Sequence, residues 1–267
     1  MKTAVWALSL LPALGATLVL AAAPAATPRL PGGHPDLNGT WENGGGIDFL
    51  KPQRLADGSV CVSGCPDADP AATPGAARPR PPPDRPRYKP EYQAKVAELA
   101  AQQVKFDPVL RCRPPGVPRI GPPDKIVQTQ REIVFLYEDV SGPFFRVVPL
   151  DPKAERNDDS ETWLGNALGR WEGDTLVVES TNFNDESWLT DDGAIHSKQL
   201  VVTERLRRVG EVIEYQATVL DPVMLAEPWV LRPRRLTRST VDFGEPAPCV
   251  EQSLQHMVDD TYHTNPR

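Results

Sequence analysis

The stretch LVVTERLRRVGEVIEYQATVL, Leu200 to Leu220, decides the fold. Two runs of alternating apolar and polar residues flank Val209-Gly210, the pattern of a β-hairpin. Side chains on a strand alternate between its two faces. One face of the first run carries Leu200, Val202, Glu204 and Leu206, and the other carries Val201, Thr203, Arg205 and Arg207. The first set is the more apolar and is expected inside, which takes Glu204 inside with it. A two-residue Val209-Gly210 loop sets Leu206 opposite Ile213, Glu204 opposite Tyr215 and Val202 opposite Ala217. The second run then turns Ile213, Tyr215, Ala217 and Val219 inward. A buried carboxylate beside a tyrosine hydroxyl is costly unless hydrogen bonds or a cation satisfy it.

Working outward, further strands are expected at 125–130, 132–138, 144–150, 174–181, 229–239 and 252–258. Pro233 points to an edge or bulge in the fifth of these. Upstream, Pro35-Asp-Leu-Asn-Gly-Thr-Trp41 reads as the chain entering its first strand. Roughly eight strands with turns between them imply an all-β, antiparallel barrel or sandwich. One helix is expected over 89–104, with Pro90 in its first turn and Tyr92, Val96, Leu99 and Val104 at helical spacing. It should lie on the outside of the sheet. The 30 prolines, about twice average usage, argue against a helix bundle. Half of them fall between Pro66 and Pro123. They predict an extended wrap over 26–124 that holds the first strand and the helix, followed by a β-barrel core over 125–267. The tract around Arg78–Pro86 is expected extended and solvated.

The N-terminus reads as a secretory signal over 1–25. Lys2 supplies the positive start, Val5–Ala23 the apolar run, and Ala23 and Ala25 a small-residue cleavage site. The rival is a transmembrane anchor, because the run approaches the ~20 residues that span a bilayer. Cleavage is favoured by the alanine-rich run and the lack of a basic flank after it. The expected location is periplasmic or secreted, with no membrane association after cleavage. The net charge of −7 lacks the basic face that nucleic acid requires. Losing Lys2 leaves 28 basic against 36 acidic residues, a net −8. Four cysteines fit export as disulfides, with Cys61–Cys65 closing a local loop and Cys112–Cys249 tying the front of the domain to its end. The rival is a structural zinc site, but Cys112 and Cys249 lack a second close ligand pair.

Gly39-Thr40-Trp41 resembles the G-x-W that opens the first strand of lipocalins, closed antiparallel barrels that hold small apolar ligands. A wider likeness runs through Tyr88–Lys95, Cys112–Arg119, Ile126–Thr129, GRWEGDTLVV over Gly169–Val178, and Phe183–Leu189. It continues at His196-Ser197, Glu204-Arg205, Asp221-Pro222, Pro228-Trp229 and Cys249. These motifs resemble a family of exported bacterial proteins without an established reaction. Its members often carry a His-Pro before the Thr-Trp step. Here residues 153–163 contain no histidine.

His196 is the leading candidate for chemistry. It follows the turn-like Asp191-Asp-Gly193 and is an even number of residues from Glu204. The two share a face if the strand reaches that far. A histidine at a barrel mouth suits general-base work, because its ordinary pKa is near 6.5. The rival role is a loop histidine bonded to a turn. Glu204 with Tyr215 reads either as an acid/base pair or as a structural carboxylate paired with Arg208 or Arg170. Trp163, Trp171, Trp188 and Trp229 either line a pocket for a flat or sugar-like ligand or pack the core. Glu172-Gly-Asp174 reads as a tight turn. Asp174, Asp185 and Asp191 have no supporting ligand pattern, and His34, His256 and His263 show no metal-ligand spacing. No metal is expected. No nucleophile elbow, phosphate loop or dinucleotide fingerprint occurs, so no organic cofactor is expected. The sequence therefore predicts a lipocalin-like barrel with one surface helix that binds a small organic ligand. The alternative is a cofactor-free acid/base enzyme of lyase, isomerase or cyclase type using His196, Glu204 and Tyr215.

Overall fold

The computed structural model describes residues 26–42, 53–54, 60–61, 84–151, 153, 160–242, 244 and 249. The expected leader, the Cys61–Cys65 loop, most of the proline tract and the strand expected at 252–258 lie outside these residues. In chain order the elements begin with β1 (Gly39–Glu42), β2 (Gln53–Arg54) and β3 (Val60–Cys61). Helices α1 (Pro90–Ala101) and α2 (Gln103–Phe106) follow, then β4 (Lys125–Gln128), β5 (Glu132–Asp139) and β6 (Gly142–Pro149). The chain continues with β7 (Asn166–Glu172), β8 (Thr175–Thr181), β9 (Val201–Val209) and β10 (Val212–Leu220). It closes with β11 (Trp229–Val230) and β12 (Arg234–Arg238).

Nine strands form one sheet in the order β6-β5-β4-β1-β12-β10-β9-β8-β7, and β11 adds to β10. Curled on itself, this sheet is a nearly closed, lipocalin-like antiparallel barrel, as the alternating patterns predict. β1 sits between β4 and β12, so the N-terminal stretch is built into the barrel as well as running toward the outer helix. Every neighbouring pair along the path is antiparallel. Eight reversals leave the two end strands, β6 and β7, running the same way. An antiparallel ladder therefore cannot join them, and a parallel ladder is the slightly weaker pairing. The two strands approach each other but are not hydrogen-bonded neighbours, which leaves a seam.

Alternation places the core. Ile133, Phe135 and Tyr137 of β5, Leu206 of β9 and Ile213, Tyr215 and Ala217 of β10 meet Trp41 inside the barrel. A second cluster plugs the end where β9 begins and β10 ends. It joins Val202 and Val219 to Phe183, Leu189, Leu200 and Trp229. Tyr92 and Val96 of α1 pack on this plug, which is why the helix lies outside the sheet.

Four local expectations need correction. The hairpin turn is Gly210-Glu211, with Gly210 at φ 59°, so Leu206 faces Tyr215 and Glu204 faces Ala217. The slip is two residues, and a period of two leaves every side chain on its predicted face. β9 starts at Val201, so His196 is not on that strand. The strand expected over 229–239 is two strands, parted around Pro233. β7 was not anticipated, although its turn to β8 through Gly173 at φ 59° was.

Candidate functional site

The inner polar network lies in the barrel core. Glu204 is fully buried, and Tyr215 donates its hydroxyl to Glu204 Oε1 at 3.0 Å. The slipped register makes this a diagonal contact across the strand pair, within an aromatic side chain's reach. The cation is neither Arg208 nor Arg170. Arg146 of β6, turned inward between Phe145 and Val147, brings Nη2 to 2.6 Å from Glu204 Oε2. Arg146 also donates from Nη1 to Tyr137 Oη at 3.0 Å and from Nη2 to Ser180 Oγ at 2.6 Å. Arg208 instead donates to the carbonyls of Gly210 and Asp36 and flanks the Trp41 ring. Arg170 pairs with Glu172 at 2.9 Å. Burial works against the charge on Arg146, but Glu204 and Tyr137 together outweigh it and lift the guanidinium above its ordinary value. Burial likewise holds the Tyr215 and Tyr137 hydroxyls protonated. Among the described residues, Arg146 Nε and Glu204 Oε2 make no hydrogen bond.

His196 belongs to a separate place, the plugged barrel end. Only 1% of it is exposed, and its ring stands edge-on to Phe183 at 6.1 Å. Nε2 lies 2.8 Å from Ser187 Oγ and Nδ1 lies 3.0 Å from the Ser197 carbonyl. The carbonyl can only accept, so Nδ1 carries the proton and Ser187 donates to Nε2. Asp221 fixes Ser197 in turn, accepting from its backbone N at 2.6 Å and its hydroxyl at 2.9 Å. Burial pushes the His196 pKa down, against opposing help from the Ser197 carbonyl, Asp221 and Asp185. A neutral imidazole with both nitrogens engaged is built as a joint. His196 therefore does not join Glu204 and Tyr215, and the three do not converge on an open cavity.

The tryptophans divide as well. Trp188 and Trp229 are buried in or beside the plug, and Trp229 Nε1 donates to Asp84 at 2.9 Å. Trp171 stacks on His34 at 4.5 Å. Trp163 is half-buried and lines a cavity of about 510 Å³ at the β6–β7 seam.

Local packing explains why the seam opens there. Beside Val148 and Leu150 it is shut, because Gly169 lets β7 come close. A Cβ at Gly169 would stand 2.8 Å from Val148 Cγ1 and 2.9 Å from Leu150 Cδ2. Further along, the strap carrying Thr162 and Trp163 spans the gap. It is pinned by Thr162 N donating to the Asn182 carbonyl at 3.1 Å and Asn184 N donating to the Thr162 carbonyl at 2.9 Å. Gly165, at φ 70°, lets the strap turn against the Phe183 ring. Phe145, Trp163, Pro114 and Pro149 give the cavity flat apolar walls, and Arg146 borders it from β6 while its side chain points into the barrel core. Phe145 is 66% exposed, unusual for a large apolar side chain with a cavity beside it. Thr162 Oγ1 is buried and, among the described residues, makes no hydrogen bond.

Sequence reasoning missed Arg146, Thr162, Phe145 and Ser187. The inward alternation of Phe144, Arg146 and Val148 was the available signal for Arg146. Among the described residues there is no cluster of metal-ligating side chains and no helix long and apolar enough to cross a membrane. Cys112 and Cys249 form a disulfide, as expected. No family model, curated protein or solved structure matches this chain.

Proposed function

We propose that this is an exported barrel protein that binds a small planar organic molecule in the seam cavity. The observation that carries the reading is the pair of flat aromatic walls, Trp163 and Phe145, facing one space of about 510 Å³. Ligand sites are concave, largely apolar and fitted with a few fixed polar groups. Aromatic walls favour a flat ligand through stacking. The ligand sits at the seam rather than down the barrel axis, because the axis is filled by Trp41, Phe135 and Tyr137. The Cys112–Cys249 disulfide supports the periplasmic or secreted location that the leader suggests. The acid/base alternative needs His196, Glu204 and Tyr215 around one substrate, and their separation favours binding.

Calorimetric titration with flat aromatic probes tests this. Trp163→Leu should weaken binding by at least about ten-fold, because a ring wall is the kind of anchor that dominates such sites. Trp229→Leu, outside the cavity, should leave binding unchanged. Equal affinity of the wild type and Trp163→Leu would overturn the assignment. The native exported protein should also release a small aromatic molecule in denaturing mass spectrometry.

A further inference from the structure

We infer that the seam cavity selects planar ligands with a cyclic amide edge, an N–H donor beside a C=O acceptor, over ligands of the same shape that lack the donor. This rests on the binding reading above and names the ligand class. The selection comes from the main chain of β6. Residues of an antiparallel strand alternate: one sends both its N–H and its C=O to one side, and the next sends both to the other. Leu150 N donates to the Arg131 carbonyl at 2.8 Å, so Leu150 faces β5. The β5–β6 register then puts Arg146 and Val148 in the β5 ladder and turns Phe145, Val147 and Pro149 to the seam. Two contacts agree with this phase. Leu136, opposite Phe145, gives its carbonyl to Asp124 N on its far side at 3.0 Å. The Pro149 carbonyl lies 3.4 Å from where a Cβ on Gly169 of β7 would stand.

β6 and β7 are not hydrogen-bonded neighbours, and among the described residues no loop backbone bond reaches Phe145 or Val147 across the gap. Both residues line the cavity, and they are 66% and 42% exposed. Arg146 lines it too, although its side chain points into the core, so what it offers the cavity is main chain. The Phe145 C=O and the Val147 N–H are thus an acceptor and a donor side by side on one open edge. Pro143 and Pro149 hold the next seam-facing positions and have no N–H to give, a usual way of blunting a sheet edge. Beside Val148 the seam is shut against Gly169. An open edge of two residues is too short for an added strand and matches one small ring system. A cyclic amide donates its N–H to the Phe145 carbonyl and accepts from the Val147 N–H, while its apolar rings contact Trp163 and Phe145. Replacing that N–H by an oxygen would set two acceptors against each other, and a site built to bond a ligand N–H rejects the analogue without it.

Three probes of nearly one shape test this at neutral pH: 2-quinolone, coumarin and quinoline, titrated calorimetrically into the full mature chain. Coumarin has an oxygen where 2-quinolone has its N–H, and quinoline has one acceptor and no donor. 2-Quinolone should bind about ten-fold or more tightly than either of the others. In nitrogen-15 correlation NMR it should move the Val147 backbone amide downfield and leave the Val148 amide, bonded into the β5 ladder, nearly fixed. Val147→Pro, which removes the N–H at a position in phase with Pro143 and Pro149, should cut 2-quinolone affinity about ten-fold. If coumarin or quinoline matches 2-quinolone, or the Val147 amide stays fixed at saturation, the inference is overturned while the cavity remains a binding site. If none of the three binds, the binding reading falls with it. Should Val147→Pro fail to fold, the wild-type series and the Val147 amide decide the matter alone.

Discussion

Two buried polar clusters in this barrel look alike in composition and differ in how they are finished. The core cluster joins Arg146, Glu204, Tyr215, Tyr137 and Ser180. It holds a full ion pair and leaves two of its atoms without hydrogen bonds. The end cluster joins Ser187, His196, Ser197 and Asp221. There the histidine is neutral, both ring nitrogens are engaged, and Asp221 also accepts from the backbone N of Val223 and Met224 at 3.0 Å each. A cluster whose bonds close on themselves fixes the chain. The core cluster turns instead on an ion pair, with Arg146 Nε left without a hydrogen bond among the described residues. Burial alone does not distinguish them, because His196 and Glu204 are both within 1% of full burial.

The sharpest way to break this contrast is to remove one partner of the core pair. Arg146→Ala or Glu204→Ala should cost about 3–5 kcal/mol in denaturant unfolding, because each strands a buried charge. The double replacement Arg146→Met with Glu204→Leu should recover most of that loss, since well-packed apolar residues often replace a buried pair at little cost. A double variant no more stable than the singles would mean the pair is not self-contained. A smaller effect is expected from Tyr215→Phe, which deletes one bond to the carboxylate and should cost about 1.5–3 kcal/mol. Its unfolding midpoint, measured with an unchanged m-value, checks that figure.

The end cluster should show itself through pH. The folded pKa of His196 is lowered, so the unfolded chain binds the proton more readily. Stability from this group is therefore present above the unfolded histidine value, near 6.5, and is lost as pH falls below it. The loss is at most about 1.4 kcal/mol per pH unit for a single proton. His196→Gln should lower stability at neutral pH and flatten the slope between pH 7 and 5. An unflattened slope would place the titrating group elsewhere.

How much of this was legible follows the reach of each signal. Period-two alternation put Glu204 and Tyr215 inside and together, and it survived a misplaced turn because a slip of two keeps each face. The same alternation carried an unused signal for Arg146, but no local rule says which of several inward arginines crosses the barrel to a given carboxylate. β7 was hidden because Asn166 and Gly169 dilute its strand character, and Gly169 is there for the close approach to Val148 and Leu150. The Ser187–His196 contact spans a turn with no periodicity to betray it. The seam is a property of the whole sheet, an odd number of antiparallel strands, and no single segment records it.

The central claim is that the seam cavity receives a flat ligand between Trp163 and Phe145. The most direct measurement follows the tryptophan indole N–H resonances by nitrogen-15 correlation NMR during titration with a flat aromatic probe. The Trp163 resonance should shift along one saturating curve, with Trp229 Nε1–H unmoved on Asp84. Binding that shifts Trp229 while Trp163 stays fixed would contradict it.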